Sequence, residues 1–313
     1  MNILVTGGTG NLGSKLVVPL VRRGHSVTVF DVRDKPVHNS PEFESCRKLT
    51  GNLARRNRFL PVVEQGGFDA IVHLAAVLSG DAERYPDRAW AVNMEGTRTV
   101  LEGARRFGVG RVVFSSTVAT FGAGLPEPVD VDAPQYPISL YGVTKVAAER
   151  LGVYYRHRFG LDFRCVRLAA VAGPRGATGG ASGFCSQFYM EAVTKGRYEF
   201  YLAPDTRAPI IYVDDAVRAL VALFEADESA LARRVYQVNG IGPSAAEMAA
   251  CLLERLPDVQ ITYRPDPVRN AIVRSWPSRL DDSDARRDWG WESSFDLERM
   301  TDRMLQELRT AST

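Results

Sequence analysis

The stretch TGGTGNLG (6–13) follows the apolar run NILVT (2–6) and opens an amphipathic stretch, NLGSKLVVPLVRRG (11–24). Strand, glycine turn and helix in immediate succession leave few architectures open. Gly7, Gly10 and Gly13 recur as G-x-x-G-x-x-G. That spacing serves a tight turn, a close backbone approach to a pyrophosphate, and close packing of helix on strand. The N–H groups at the helix start then face the phosphates. The segment is expected to be the first strand–helix unit of a parallel sheet, with a dinucleotide held at the turn between them.

The same alternation continues. SVTVFDV (26–32), DAIVHLA (69–75) and RVVFSST (111–117) read as strands, with a long helical stretch over 84–107 between the last two. YGVTKVAAERLGVYYRHRFG (141–160) reads as one helix, followed by the strand DFRCVRLA (162–169). Near-continuous apolar runs are what parallel strands covered on both faces require. Right-handed crossovers then give an α/β fold built on a doubly wound parallel (Rossmann) sheet. After residue 170 the texture changes. GPRGATGGASG (173–183) is a glycine-rich loop. IIYVDDAVRALVALFEA (210–226) restores a strand and a helix, with Asp214 or Asp215 expected as its N-cap. A strand (235–239), a helix (244–256), a strand (259–263) and a terminal helix (295–309) complete the chain. The expected division is a dinucleotide-binding domain over 1–170, to which 210–240 returns, and a smaller C-terminal α/β substrate lobe made of 171–209 and 241–313.

Composition narrows the function classes. The 313 residues are 45% hydrophobic and 24% charged with a net charge of +2, and no basic block offers a nucleic-acid footprint. The longest apolar runs are too short for a membrane span, and MNILVTG carries no leader pattern. Cys46, Cys165, Cys185 and Cys251 are scattered without a C-x-x-C, so they read as reduced thiols of a cytoplasmic protein, three of them packed as small hydrophobes. The four histidines lack ligand spacing, and no metal is expected.

Two further features carry chemistry. Asp31 closes SVTVFD, 18 residues after Gly13, where an acidic side chain binds the adenosine ribose hydroxyls and repels a 2′-phosphate. NAD is therefore expected over NADP, although the neighbouring Arg33 is a side chain that can accept such a phosphate. Tyr141 and Lys145 in YGVTK stand four apart, one turn above the other on a helix. Thr117, ending the strand of SSTVATFG (115–122), should reach the carboxyl edge of the sheet, where doubly wound folds place their ligands. A tyrosine acting as base must come down from ~10, and the Lys145 ammonium and a positive nicotinamide ring both favour its phenolate.

Taken together, TGGTGNLG, Asp31, HLAA (73–76), Asn93 in AVNMEGT, SSTVATFG and YGVTK resemble the extended short-chain dehydrogenase/reductase superfamily over essentially the whole chain. The resemblance implies NAD bound by Gly7, Gly10, Asn11, Leu12, Gly13, Asp31, Asn52, Leu53, Leu74, Ala75, Ala76 and Asn93 together with Tyr141 and Lys145, and a catalytic set of Thr117, Tyr141 and Lys145. Asn52 stands where the family usually has an aspartate at the adenine. The family also commonly forms homodimers through two helices per subunit, here 84–107 and 141–159.

Within the superfamily, nucleotide-sugar epimerases and dehydratases usually carry an asparagine where RLAAVAGPR (167–175) has Ala170. HLAAVLSGDAE (73–83), RAPIIYVDDA (207–216), ITYRPDPVRN (261–270) and SWPSRLDDSDARRDWGWESSFDLERM (275–300) resemble instead the short-chain type of L-threonine 3-dehydrogenase. That branch implies a β-hydroxy-α-amino-acid substrate near Ser79, Thr117, Tyr141 and Trp276, covered by the 176–184 loop. In that loop Ala181 and Ser182 replace paired threonines of the branch and Gly183 replaces an acid, changes that alter which amino acid fits. A nucleotide-sugar epimerase, a dehydrogenase of a sugar acid or other hydroxy acid, and a non-catalytic NAD sensor on the same fold are the rival readings.

Overall fold

The computed structural model describes residues 1–176 and 180–310. Its centre is a seven-stranded sheet in which every pairing is parallel. Among the described residues eleven strands form in chain order: β1 Asn2–Thr6, β2 Ser26–Asp31, β3 Arg47–Thr50, β4 Ala70–His73, β5 Arg111–Thr117, β6 Asp162–Leu168, β7 Ala170–Ala172, β8 Arg197–Phe200, β9 Ile210–Tyr212, β10 Val235–Gln237 and β11 Gln260–Tyr263. The main sheet runs β10-β6-β5-β4-β1-β2-β3. Strand order reverses between β1 and β4, so the helices after these strands leave toward opposite faces and open a crevice at the carboxyl edge.

Alternation along the strands feeds two cores. Ile3, Val5, Val72 and Val113 point to one face, where they meet the Asn11–Arg22 and Val213–Glu225 helices through Leu16, Leu20, Leu220 and Leu223. Leu4, Ile71, Val112 and Phe114 point to the other, against the helices Arg56–Gly66, Thr97–Arg106 and Leu140–Phe159. A third core lies beyond the carboxyl edge. There the Phe184–Lys195 helix packs on β8, with Met248, Leu252, Met300, Met304 and Trp276 closing around it. Two small parallel sheets, β11-β8 and β7-β9, serve this region.

Several elements differ from the sequence expectation. The stretch expected as one helix over 84–107 is three pieces: Pro86–Trp90, a π-helical turn at Ala91–Gly96, and Thr97–Arg106. Pro86 removes a backbone donor and forces a new start, and π turns commonly mark functional positions. Neither Asp214 nor Asp215 caps its helix. Tyr212 occupies the N-cap position, and both acids fall in the first turn. Asp214 pairs with Lys15 at 2.7 Å. Asp215 is fully buried and accepts from the backbone N–H of Ser294 and Phe295 and from the Ser293 hydroxyl. All four cysteines are buried thiols, one more than expected. No helix among the described residues is long and apolar enough to cross a membrane.

One buried ion pair joins the pieces that carry the site. Glu149 and Arg167 are both about fully enclosed, at 0% and 1% side-chain exposure. Arg167 grips the carboxylate through Nε (3.0 Å) and Nη2 (2.9 Å) and donates Nη1 to the Val131 carbonyl at 2.7 Å. Ser116 donates to the same carboxylate from β5 and Gln135 from the connecting loop. Removing one partner leaves an uncompensated buried charge. Arg167→Leu is therefore expected to cost about 3–5 kcal/mol, while Arg167→Leu with Glu149→Leu should recover most of that loss. Urea unfolding of the two single variants and the double variant checks it; additive losses would contradict the pairing.

Candidate active site

At the end of β1 the chain turns sharply. Gly7 has φ +72°, and a Cβ there would stand 2.7 Å from the Ala75 nitrogen. Gly13 is tighter still, since its Cβ would stand 2.3 Å from the Gly7 carbonyl oxygen. The first helix is thus drawn onto its own loop. Gly10 occupies the N-cap with extended backbone, no side chain caps the helix, and no acid lies in its first turn. The helix presents its first N–H groups and the positive end of its dipole outward, the chemistry that a pyrophosphate needs. The residues present fit NAD.

Around this cradle sit the other expected contacts. Asp31, only 8% exposed, is held by the N–H of Thr9 (3.2 Å) and of Arg33 (3.1 Å), which fixes its carboxylate beside the loop. The Arg33 guanidinium lies 4.0 Å from it. Leu74, Ala75 and Ala76 continue from β4, with the Leu74 N–H bonded to the Thr6 carbonyl. Asn52 is exposed and spends its side-chain oxygen on the Ala54 N–H, leaving its amide N–H groups for a ligand. Leu53 is buried and its Cβ stands against Gly96. Asn93 lies in the π turn, buried, where it clamps Val77 through both backbone groups and donates to the Thr144 hydroxyl. His38 and Arg175, which the motifs do not reveal, also reach the cradle. The His38 Nε2–H donates to Asn11 Oδ1 at 2.7 Å, and Arg175 holds the Val37 carbonyl. Burial, with Lys15 and Arg175 nearby, lowers the His38 pKa to about 4, so the ring is neutral.

Thr117, Tyr141 and Lys145 converge beyond β5. Thr117 ends the strand in extended conformation, and its Oγ1 accepts the Ala119 N–H at 3.2 Å. That use of a lone pair leaves the hydroxyl proton to face the Tyr141 phenol, on which Thr117 acts as a donor that favours the phenolate. The helix carrying Tyr141 starts cleanly because Ser139 caps it by accepting from the Gly142 N–H. Burial pushes the Tyr141 phenol up to about 12, and the Thr117 bond opposes this. Lys145 Nζ donates to the Ser115 carbonyl at 2.7 Å, 4.4 Å from the Phe114 ring centroid and 5.7 Å from that of Tyr141. Burial lowers its pKa to about 8, and Glu149 one turn along the helix works against that lowering. Behind them, His73 is lodged between Thr6 (2.7 Å) and Thr97 (3.0 Å). Thr97 gives its proton to the Asn93 carbonyl, so His73 donates from Nε2 and accepts at Nδ1. That neutral form agrees with a pKa lowered by burial to about 3.

Of the residues expected at the substrate, Ser79 and Ala181 are in direct contact. Ser79 Oγ accepts the Ala181 N–H at 3.0 Å, which ties the glycine-rich loop across the site. Ala181 is fully buried, Ser182 half-buried, and Trp276 only 7% exposed. Residues 177–179 of the covering loop lie outside the described residues. Among the described residues no group of three or more His, Cys, Asp or Glu is placed to hold a metal ion. The glycine contacts set an ordering to test. Gly13→Ala, meeting backbone at 2.3 Å, should cost about 1–3 kcal/mol of stability and most NAD affinity. Gly10→Ala, with 3.2 Å of clearance, should fold normally. Thermal melts with and without NAD read both effects; equal damage from the two changes would contradict the geometry.

Residues 3–239 match the family described as NAD-dependent epimerase/dehydratase. The mitochondrial L-threonine 3-dehydrogenase of Bos taurus is 37% identical over 307 residues, covering 97% of this chain and 81% of that one. A partial-consensus L-threonine 3-dehydrogenase superposes with a TM-score of 0.93 at 32% identity, covering 99% of this chain and all of the other. The holo form of the GalE-like L-threonine dehydrogenase from Cupriavidus necator gives 0.91 at 34% identity, over 98% of this chain and all of the other. This chain belongs to the NAD-dependent epimerase/dehydratase family, within the short-chain dehydrogenase/reductase superfamily, and its cofactor is NAD.

Proposed function

We propose that the chain oxidises the 3-hydroxyl of L-threonine or a closely related β-hydroxy-α-amino acid to the 2-amino-3-keto acid. The observation that carries this reading is the Thr117–Tyr141 hydroxyl pair, half-buried at the carboxyl end of β5 with the buried Lys145 behind it. The similarity to L-threonine dehydrogenases over almost the full length supports the substrate class. Thr117 holds the substrate oxygen, and the Tyr141 phenolate takes its proton. When bound, NAD supplies the acceptor for the hydride leaving C3 and a positive ring that favours the phenolate. Lys145 is charged at neutral pH and adds a charge of the same sign; its ammonium is proposed to hold the nicotinamide ribose.

The remaining assignments belong to the same proposal. Gly7, Gly10, Asn11, Leu12 and Gly13 would hold the pyrophosphate, Asp31 the adenosine ribose, and Asn52, Leu53, Leu74, Ala75, Ala76 and Asn93 the remainder of the dinucleotide. Ser79, Ala181, Ser182 and Trp276 would contact the amino acid. Residues 1–170 with 210–240 would act as the cofactor half and the rest as the substrate lobe. Two copies would pair through 84–107 and 141–159. Exposed Tyr85, Trp90, Val143, Tyr154 and Phe159 on that side support a covered surface.

Following NADH absorbance with L-threonine, other 3-hydroxy amino acids, sugar acids and sugar nucleotides tests the assignment. Tyr141→Phe should lower turnover by about 10²–10⁴ with NAD affinity unchanged; undiminished turnover would sink the mechanism. Isomerisation of a sugar nucleotide without net NADH would favour the epimerase reading instead. The Lys145 pKa also fixes a sign. The ammonium is present below about 8 and lost above it, so NAD affinity should weaken as pH rises through that value. Lys145→Met should bind NAD weakly and without that inflection. Light scattering reads the oligomer, expected at twice the 34.5 kDa chain mass.

A further inference from the structure

Ala181 lies in the glycine-rich loop proposed to wall the substrate, and hydroxyls from elsewhere in the chain take both of its polar backbone groups. Its N–H is accepted by Ser79 Oγ at 3.0 Å. Its carbonyl accepts from the Tyr201 hydroxyl, also at 3.0 Å. The same Tyr201 oxygen accepts the Phe184 N–H at 2.7 Å. Phe184 opens the Phe184–Lys195 helix, whose N-cap is Gly183 and carries no capping side chain. A first-turn N–H has no carbonyl within its own helix to bond, so Tyr201 supplies the missing acceptor. One phenol thereby clips two points of the turn to the segment that follows β8.

Tyr201 is itself held in place. It is 6% exposed, the Arg269 guanidinium lies 3.7 Å over its ring, and the Phe184 ring meets it edge-on with centroids 6.3 Å apart. Burial holds the phenol above the usual tyrosine range, so the proton it gives to Ala181 is kept at neutral pH. Tyr198 offers a contrast. It is buried in the same core, but its hydroxyl has no hydrogen-bond partner among the described residues. By accepting the Ala181 N–H, Ser79 keeps its own proton to donate to an oxygen of the substrate. That service lasts only while Ala181 stays where it is, and Tyr201 pins its other side. Thr117, Tyr141 and Lys145 stand on other elements, β5 and the Leu140–Phe159 helix.

We propose that Tyr201 is a positioning residue for the oxidation. It clamps the 180–184 turn against Ser79 and so sets the affinity for the amino-acid substrate, without taking part in the proton or hydride transfer. The inference rests on the reading of that turn as the substrate wall. Loss of the clamp weakens ground state and transition state alike, a change that raises KM and leaves kcat.

Tyr201→Phe deletes one oxygen and keeps the ring under Arg269, and Tyr198→Phe, which removes an unpartnered hydroxyl of the same core, is the comparison. In the NAD-loaded enzyme, Tyr201→Phe should raise KM for L-threonine, or for whichever 3-hydroxy amino acid is turned over, by about three- to tenfold. Its kcat should stay within about twofold, with NAD affinity unchanged. Deuterium exchange in peptides over 180–186, measured without substrate, should speed up by about tenfold. Tyr198→Phe should leave both readings at their wild-type values. An unchanged KM, a fall in kcat at constant KM, or an equal response from Tyr198→Phe would overturn the positioning role. If the wild-type protein oxidises no hydroxy amino acid, the dehydrogenase reading falls. Unchanged exchange in Tyr201→Phe would then overturn the clamp as well, whereas faster exchange would retain it.

Discussion

The Glu149–Arg167 pair holds the arrangement together. Two opposite charges buried side by side are worth little in net stability, but they are unforgiving about geometry. Here the geometry spans four separate segments. Glu149 belongs to the helix that presents Tyr141 and Lys145, Ser116 precedes Thr117 in β5, Arg167 is in β6, and Val131 and Gln135 lie in the loop between. If the helix slid by a residue along its axis, about 1.5 Å, the carboxylate would lose its fork and Tyr141 would leave Thr117. The same contact supplies the negative charge that helps keep Lys145 protonated despite burial.

A second constraint sets where the cofactor loop stands relative to this helix. His73 is the common partner of Thr6, just before the glycine turn, and Thr97, whose proton goes to the Asn93 carbonyl. The Asn93 amide then bonds Thr144, and Thr144 bonds the Tyr141 carbonyl. The chain of donors runs in one direction from the loop to the helix, and it works only while His73 is neutral.

The parallel sheet, the glycine turn, Asp31 and the Thr117–Tyr141–Lys145 grouping were legible because each follows from a short local pattern. Apolar runs give covered strands, and a strand ending in Thr117 must deliver it to the carboxyl edge. Other features were hidden for physical reasons. β3 (RKLT) is polar, an edge strand with little to bury, and resembles a loop. β7 and β9, three residues each, are too short for a period to show. The break in the 84–107 stretch needed Pro86 to outweigh a continuous helical pattern. Asp215 has the look of a helix cap, yet apart from Arg218 its partners lie 78–80 residues further on. Tyr201, Arg175 and His38 act through contacts distant in the chain, which no local spacing announces.

That anchoring of Asp215 bears on how the chain is made. The carboxylate is buried in the helix that covers one face of the dinucleotide sheet, and apart from Arg218 its partners come from Ser293–Phe295. Lys15, in the first helix, likewise has Glu307 at 3.7 Å as well as Asp214. During synthesis the sheet strands emerge long before these partners do. Until Ser293–Phe295 have been added, Arg218 is the one of these partners that the Asp215 carboxylate can have. The acid on that face of the sheet is therefore compensated by a segment 78–80 residues further along the chain, so covering this face and seating the later segment are one event.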